Sequence, residues 1–260
     1  MSDALRAEWT KLRALRSTPW SLFALLISTV VLSWLIAAST HTNRCPISEG
    51  CHDDLVAIAL GGAYLGQMAA VSLGVLALGS EFSSGMIRTT FAATPRRDHV
   101  LLAKAVVVGG LVFVAGLLAS VLAYLIGSTV LAGNGYTAGN GYHVAGFGVE
   151  LRAVVGTAVY LATVALFSLG VTALLRHTAA AISTVFAVLW VPLIVISMLP
   201  MDVGLKLGRF CPMLAGLAIQ RSTAADDAIP IAPGVGLLVA CAYAAAALAA
   251  GIWLVARRDA

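Results

Sequence analysis

Six apolar runs of membrane-spanning length constrain this chain more than any other feature. They cover residues 20–39, 55–78, 100–131, 151–175, 179–199 and 234–256, and a hydrocarbon core about 30 Å thick asks for roughly 20 such residues per helix. A soluble domain of this size could not bury them, since 60% of the residues are hydrophobic and only 11% charged. The expected fold is therefore an all-α membrane protein, a single domain over 1–260 with six transmembrane helices. No ten-residue segments of alternating polarity occur, which argues against a barrel. The third run exceeds what a span needs and is expected to tilt or to reach past the lipid. Ala37-Ala38-Ser39 is a small-residue cluster after an apolar run, but nineteen residues precede a full-length span. A signal peptide has a shorter apolar core, so the first run is expected to be retained.

The cations orient the bundle. With the N-terminus in the cytoplasm, the inner segments hold Arg6, Lys11, Arg13, Arg16, Arg88, Arg96, Arg97, Lys104, Arg176, Arg257 and Arg258. The outer ones hold only Arg44, Arg152, Lys206, Arg209 and Arg221. That bias follows the positive-inside rule and places both termini in the cytoplasm of a cell-membrane protein. The net charge of +4 then expresses topology, and nucleic-acid binding is not expected.

Residues 1–19 place Leu5, Trp9, Leu12 and Leu15 at helical spacing between cations, the pattern of an amphipathic helix lying in the membrane interface. Arg13 and Arg16 would anchor it to headgroups, and Trp20 sits where aromatic belts form. A cationic tail with a topogenic role alone is an equal reading. Cys45 and Cys51 share the first outer loop, where an oxidising compartment lets them close a disulfide. Two free thiols, or competition from Cys211, are the alternatives. His41 and His52 flank that loop, but the spacing fits no zinc pattern and no metal site is expected. Gly62, Gly66, Ala70 and Gly74 form a four-residue stripe that lets another helix approach closely, within the chain or in a second copy. Arg176-His177 leaves only a tight inner turn between the fourth and fifth runs. Met213 to Ile219 is apolar and too short to cross, which suggests a re-entrant or interfacial piece before the last span, with a buried loop as the alternative. Arg257 and Arg258 anchor the inner end of that span.

Absences matter equally. The central parts of the six runs hold no Asp, Glu, Lys, Arg or His, the groups that mark proton relays and ion paths in membranes. No phosphate-binding G-x-x-x-x-G-K-[ST] loop, H-E-x-x-H or G-x-S-x-G occurs, so no catalytic residue and no cofactor of the chain's own is expected. An ion-coupled carrier is correspondingly disfavoured.

The one long polar interruption is 79–104, GSEFSSGMIRTTFAATPRRDHVLLAK. Its order is an acidic Glu81, a flexible Gly85, a short amphipathic stretch with Arg88, then Thr94-Pro95-Arg96-Arg97, and Lys104 in the first turns of the next span. This order, between the second and third of six spans, resembles the cytoplasmic coupling segment of ABC-2 type transporter permeases. The basic N-terminus and the polar stretch before the last span are also similar to that family, and small permeases of this kind are frequent in actinobacteria. The resemblance implies a cytoplasmic coupling helix docking on a separate ABC ATPase, with ATP and Mg on that partner and a second permease copy, identical or homologous. The implied activity is export of a drug, antibiotic, peptide or lipid-like amphiphile. The coupling residues it implies are Glu81, Phe82, Gly85, Met86, Arg88, Thr94, Pro95, Arg96 and Arg97. Met86-Ile87-Arg88-Thr89-Thr90-Phe91 stands where the family commonly has a more leucine-rich helix. From the residues alone, Phe82, Met86 and Phe91 could form an apolar knob, and Arg96, Arg97 and Lys104 could simply anchor to headgroups. Glu81 could equally pair with Arg88, two helical turns on. A non-transporting scaffold, sensor or immunity subunit is the alternative function.

Overall fold

The computed structural model describes residues 2–15, 17–41, 53–86, 97–140, 142, 144–222 and 230–257. Arg16, Cys45, Cys51, Arg88, Thr94, Pro95, Arg96 and Arg258 lie outside them, as does the Arg97 side chain. The described residues contain no strand. Among the described residues the α-helices are, in order, α1 Ser2–Ala14, α2 Ser17–Ser39, α3 Leu55–Ala59, α4 Ala63–Ser83, α5 Arg97–Gly133, α6 Phe147–Leu175, α7 Thr178–Ser197, α8 Met201–Gly208, α9 Pro212–Leu217 and α10 Pro233–Arg257. Six of them, α2, α4, α5, α6, α7 and α10, are long and apolar enough to cross a membrane.

The centre of the bundle is α6. It packs on α4, α5 and α10, and most of its length is buried, whereas α2, α7 and α10 turn most of theirs outward. Such outward faces suit lipid, which is as apolar as the side chains it meets. Close helix approach explains why small residues fill the seams. A Cβ on Gly74 would lie 2.2 Å from the Ala165 carbonyl oxygen, and one on Gly66 would lie 2.1 Å from Thr29 Oγ1. The four-residue stripe is thus used within the chain, its upper part against α2 and its lower part against α6.

The second apolar run is not one helix. α3 ends at Ala59, a turn spans Leu60 to Gly62, and α4 begins at Ala63, running on to Ser83 rather than stopping at Leu78. Gly62 explains the break. A Cβ there would fall 1.8 Å from the Thr29 carbonyl oxygen, and its N–H donates to Ser33 Oγ at 2.9 Å. The chain turns where only backbone fits against α2. α5 has 37 residues, about 55 Å at 1.5 Å per residue, well beyond a single span. Both of its ends are covered by protein, by α1 at the first and by a small cluster of Ala37, Ala59, Leu131, Tyr136 and Tyr142 at the other.

α6 and α7 form a tight hairpin. Arg176 adopts a left-handed conformation (φ 54°) and the His177 side chain accepts the Ala180 N–H to start α7. The apolar stretch at 213–219 is also helical, as α9 followed by a single 3-10 turn, Ala218–Gln220, and it is buried against α6 and α10. Gly216 abuts the Tyr160 ring and Gly236 the Ala215 carbonyl, contacts a side chain would prevent. Tyr160 donates to Gln67 Oε1 at 2.6 Å, and Gln67 Nε2 donates to Met213 Sδ at 3.4 Å. This polar chain ties α4, α6 and α9 together. Gln220 adds a second tie to Thr157 Oγ1 at 3.1 Å, so the bundle's few buried amides are satisfied where α9 enters it.

Candidate functional site: a buried ion cluster at the root of the 79–97 segment

Glu81 lies in the last turn of α4 and Lys104 two turns into α5, so the two helices that flank the polar segment present opposite charges to one another. Lys104 Nζ is 2.9 Å from Glu81 Oε1 and 2.5 Å from Glu8 Oε2. Glu8 belongs to α1. One helical turn on, Lys11 Nζ contacts Glu8 Oε1 at 2.9 Å and Glu81 Oε1 at 3.4 Å. Each lysine therefore bridges both carboxylates, and the two positive and two negative charges cancel.

Burial makes that cancellation consequential. The side chains of Lys104, Glu8 and Glu81 are 1%, 3% and 4% exposed, and Lys11, the outermost, is 31% exposed. Unpaired charges at such sites would carry a desolvation penalty of several kcal/mol each, which pairing offsets only with good geometry and further hydrogen bonds. The pairing falls short at one atom, since Glu81 Oε2 is buried with no hydrogen-bond partner among the described residues. For Lys11, burial pulls the pKa down, but the hydrogen bond to Glu8 and the charges of Glu81 and Glu8 outweigh it and leave the ammonium group above its ordinary value.

Local sequence explains how α1 reaches the cluster. Glu8, Leu12 and Leu15 lie at i, i+4 and i+7, on one helix face. Glu8 and Leu12 are buried, Leu15 packs on the core, and Arg6, Thr10 and Arg13 face outward. α1 is thus an apolar stripe with one carboxylate set into it, and that carboxylate finds Lys104.

The end of α4 is held from a second side. A Cβ on Gly79 would come 2.7 Å from Thr178 Oγ1, so α4 meets the start of α7 closely. Phe82 is half-buried against the core, with the Arg176 guanidinium 5.8 Å from its ring centroid. α4 ends at Ser83, and Gly85 follows with a φ of +72°, the left-handed conformation that favours glycine, and with open space beside it among the described residues. Met86, next in the chain, is exposed.

Of the residues singled out in the sequence, Glu81 and Lys104 are brought together, with Phe82 alongside. Glu81 takes Lys104 and Lys11 as its partners. Trp20 is 72% exposed at the start of α2, and Arg257 stacks on Trp253 at 4.4 Å. Glu8 and Lys11 were not recognised as members of the site; the signal was an acid, Glu8, in step with the leucines of a basic helix. No group of three or more His, Cys, Asp or Glu among the described residues could hold a metal. What this arrangement can do is mechanical, holding three separate stretches of chain at one point through charges that are costly to separate.

By length and composition of its helices the chain is a multi-pass helical membrane protein. No model of a known protein family matches it, and no curated protein matches its sequence.

Proposed function

We propose that this protein is the membrane subunit of an ATP-driven exporter of the ABC-2 type, working as a pair of permease copies. In this reading the α1 end of the bundle faces the cytoplasm, as the cation bias favours. A separate ATPase, carrying ATP and Mg, docks on residues 79–97, and 213–219 acts as a re-entrant segment on the outer side. The cargo class is an amphiphile such as a drug, antibiotic, peptide or lipid-like molecule.

The observation that carries the proposal is the buried cluster at the root of the docking segment. A motor can shift a conformational equilibrium only through interactions that differ between the two states. A flexible polar loop would absorb a push from outside. Here the start of the segment is bonded through Glu81 to α5 and α1, and through Phe82 and Gly79 to the α6–α7 hairpin, so displacement of the segment must move four other helices. The central parts of the spans carry no Asp, Glu, Lys, Arg or His, which is consistent with power supplied by a partner.

The test is co-purification of an ATPase subunit with this protein, followed by cargo-stimulated ATP hydrolysis. Met86→Pro and Arg88→Glu are expected to weaken the association while the bundle stays folded. Glu81→Gln is expected to leave association intact and lower the stimulation. Unchanged association and stimulation in all three variants would refute the coupling role.

A further inference from the structure

We infer that the groove between α1, α2 and α5 is a binding site for one anionic phospholipid. The inference needs only the membrane reading of the chain and stands apart from the exporter proposal. The groove encloses about 250 Å³, and its walls are Leu12, Pro19, Leu22 and Leu111, with Trp9 and Arg13 among its lining. A space this large and apolar is not a water site, since an ordered water needs two to four polar partners.

Charge selects the occupant. Arg13 is exposed and has no carboxylate within ion-pair reach among the described residues. Its neighbour Lys11 is committed to Glu8 and Glu81, so the buried cluster is neutral, and among the described residues Arg13 is the cation presented at this groove. A guanidinium matches a phosphate with two parallel hydrogen bonds. Trp9, 47% exposed, supplies the half-wet indole that suits the level of the glycerol backbone. Beyond it the leucines offer an acyl chain an apolar wall, and Trp20 and Phe23, both exposed at the start of α2, mark the same level on the adjoining surface. A lipid seated here contacts α1, α2 and α5 together, the three helices that meet beside the ion cluster. Its presence would therefore favour docked α1.

The full-length protein in phosphatidylcholine vesicles tests this with lipids brominated near the headgroup, either phosphatidylglycerol or phosphatidylcholine. The readout is quenching of Trp9, taken as the difference between the wild type and Trp9→Phe. Half-maximal quenching is expected at about fivefold lower mole fraction of the anionic lipid, the preference one surface cation confers. Arg13→Gln is expected to bring the two lipids to parity, whereas Arg6→Gln, two turns earlier on the same helix and outside the groove's lining, is expected to keep the preference. Equal quenching in the wild type would overturn the site. So would a preference that survives Arg13→Gln, or one that Arg6→Gln removes as fully, since the latter would reflect diffuse surface charge.

Discussion

Replacing Lys104 with methionine is expected to be among the most damaging single changes in the bundle. Lys104 Nζ serves both Glu8 and Glu81 from a side chain that is 1% exposed. Without it, two buried carboxylates share the single, partly exposed Lys11, and one negative charge is left over. Removing one partner of a buried ion pair costs about 3–5 kcal/mol. For a chain of this size about 2–4 °C accompanies each kcal/mol, so the melting midpoint should fall by roughly 6–20 °C. The informative comparison is Lys104→Met with Glu81→Gln in the same chain. That pair restores neutrality, leaving Glu8 with Lys11, and removes the carboxylate that already lacks a partner for Oε2. The double variant is expected to be more stable than Lys104→Met alone by roughly 1–3 kcal/mol. Thermal unfolding of the four proteins of this cycle in mild detergent, followed by tryptophan fluorescence, gives the coupling directly. Additive losses, with the double variant below both singles, would refute the claim that these charges form one balanced unit.

Other consequences follow from the same geometry. Gly62→Ala places a methyl group 1.8 Å from the Thr29 carbonyl oxygen and should abolish folded yield. Gly110→Ala, on α5 with open space around it, should be neutral or stabilising by up to about 1 kcal/mol; equal behaviour of the two in a melting assay would contradict the packing described. Tyr160→Phe removes the 2.6 Å donation to Gln67 and should cost about 1–2 kcal/mol, with much of the loss recovered when Gln67→Leu is added. The pH dependence of α1 docking follows from Lys11. Its pKa is raised in the folded state, so its contribution is complete below the ordinary lysine range near 10.4 and is lost as pH climbs through the higher folded value. Proteolysis within α1 should stay slow from pH 7 to about 10 and accelerate only above; acceleration between pH 7 and 9 would exclude Lys11 as the cause.

The apolar runs announced six helices because crossing lipid demands length and hydropathy, both local properties. The break at Gly61-Gly62 was harder to see. Glycines inside an apolar run also serve close packing, and only the position of Thr29 on α2 shows that Gly62 must turn. Glu81 and Lys104 stood out as charges at span ends, yet their partnership was not visible, because 23 residues separate them and Arg88 lay nearer to Glu81 in sequence. Glu8 was overlooked for a related reason. In a helix of interspersed cations and leucines a carboxylate looks like one more solvent-facing charge, until its register with Leu12 and Leu15 is read as a buried face. The tie from Tyr160 to Gln67 depends on how α6 and α4 are rotated against each other, which neither helix encodes alone.

The central claim is that this bundle is driven from outside through residues 79–97. The most direct measurement is cargo uptake into inverted vesicles containing this protein, with and without a co-expressed ATPase subunit, in the presence and absence of ATP and Mg. Uptake is expected only with the ATPase and nucleotide together, and Met86→Pro is expected to abolish it without loss of folded protein. Uptake by this protein alone, or uptake indifferent to Met86→Pro, would contradict the account.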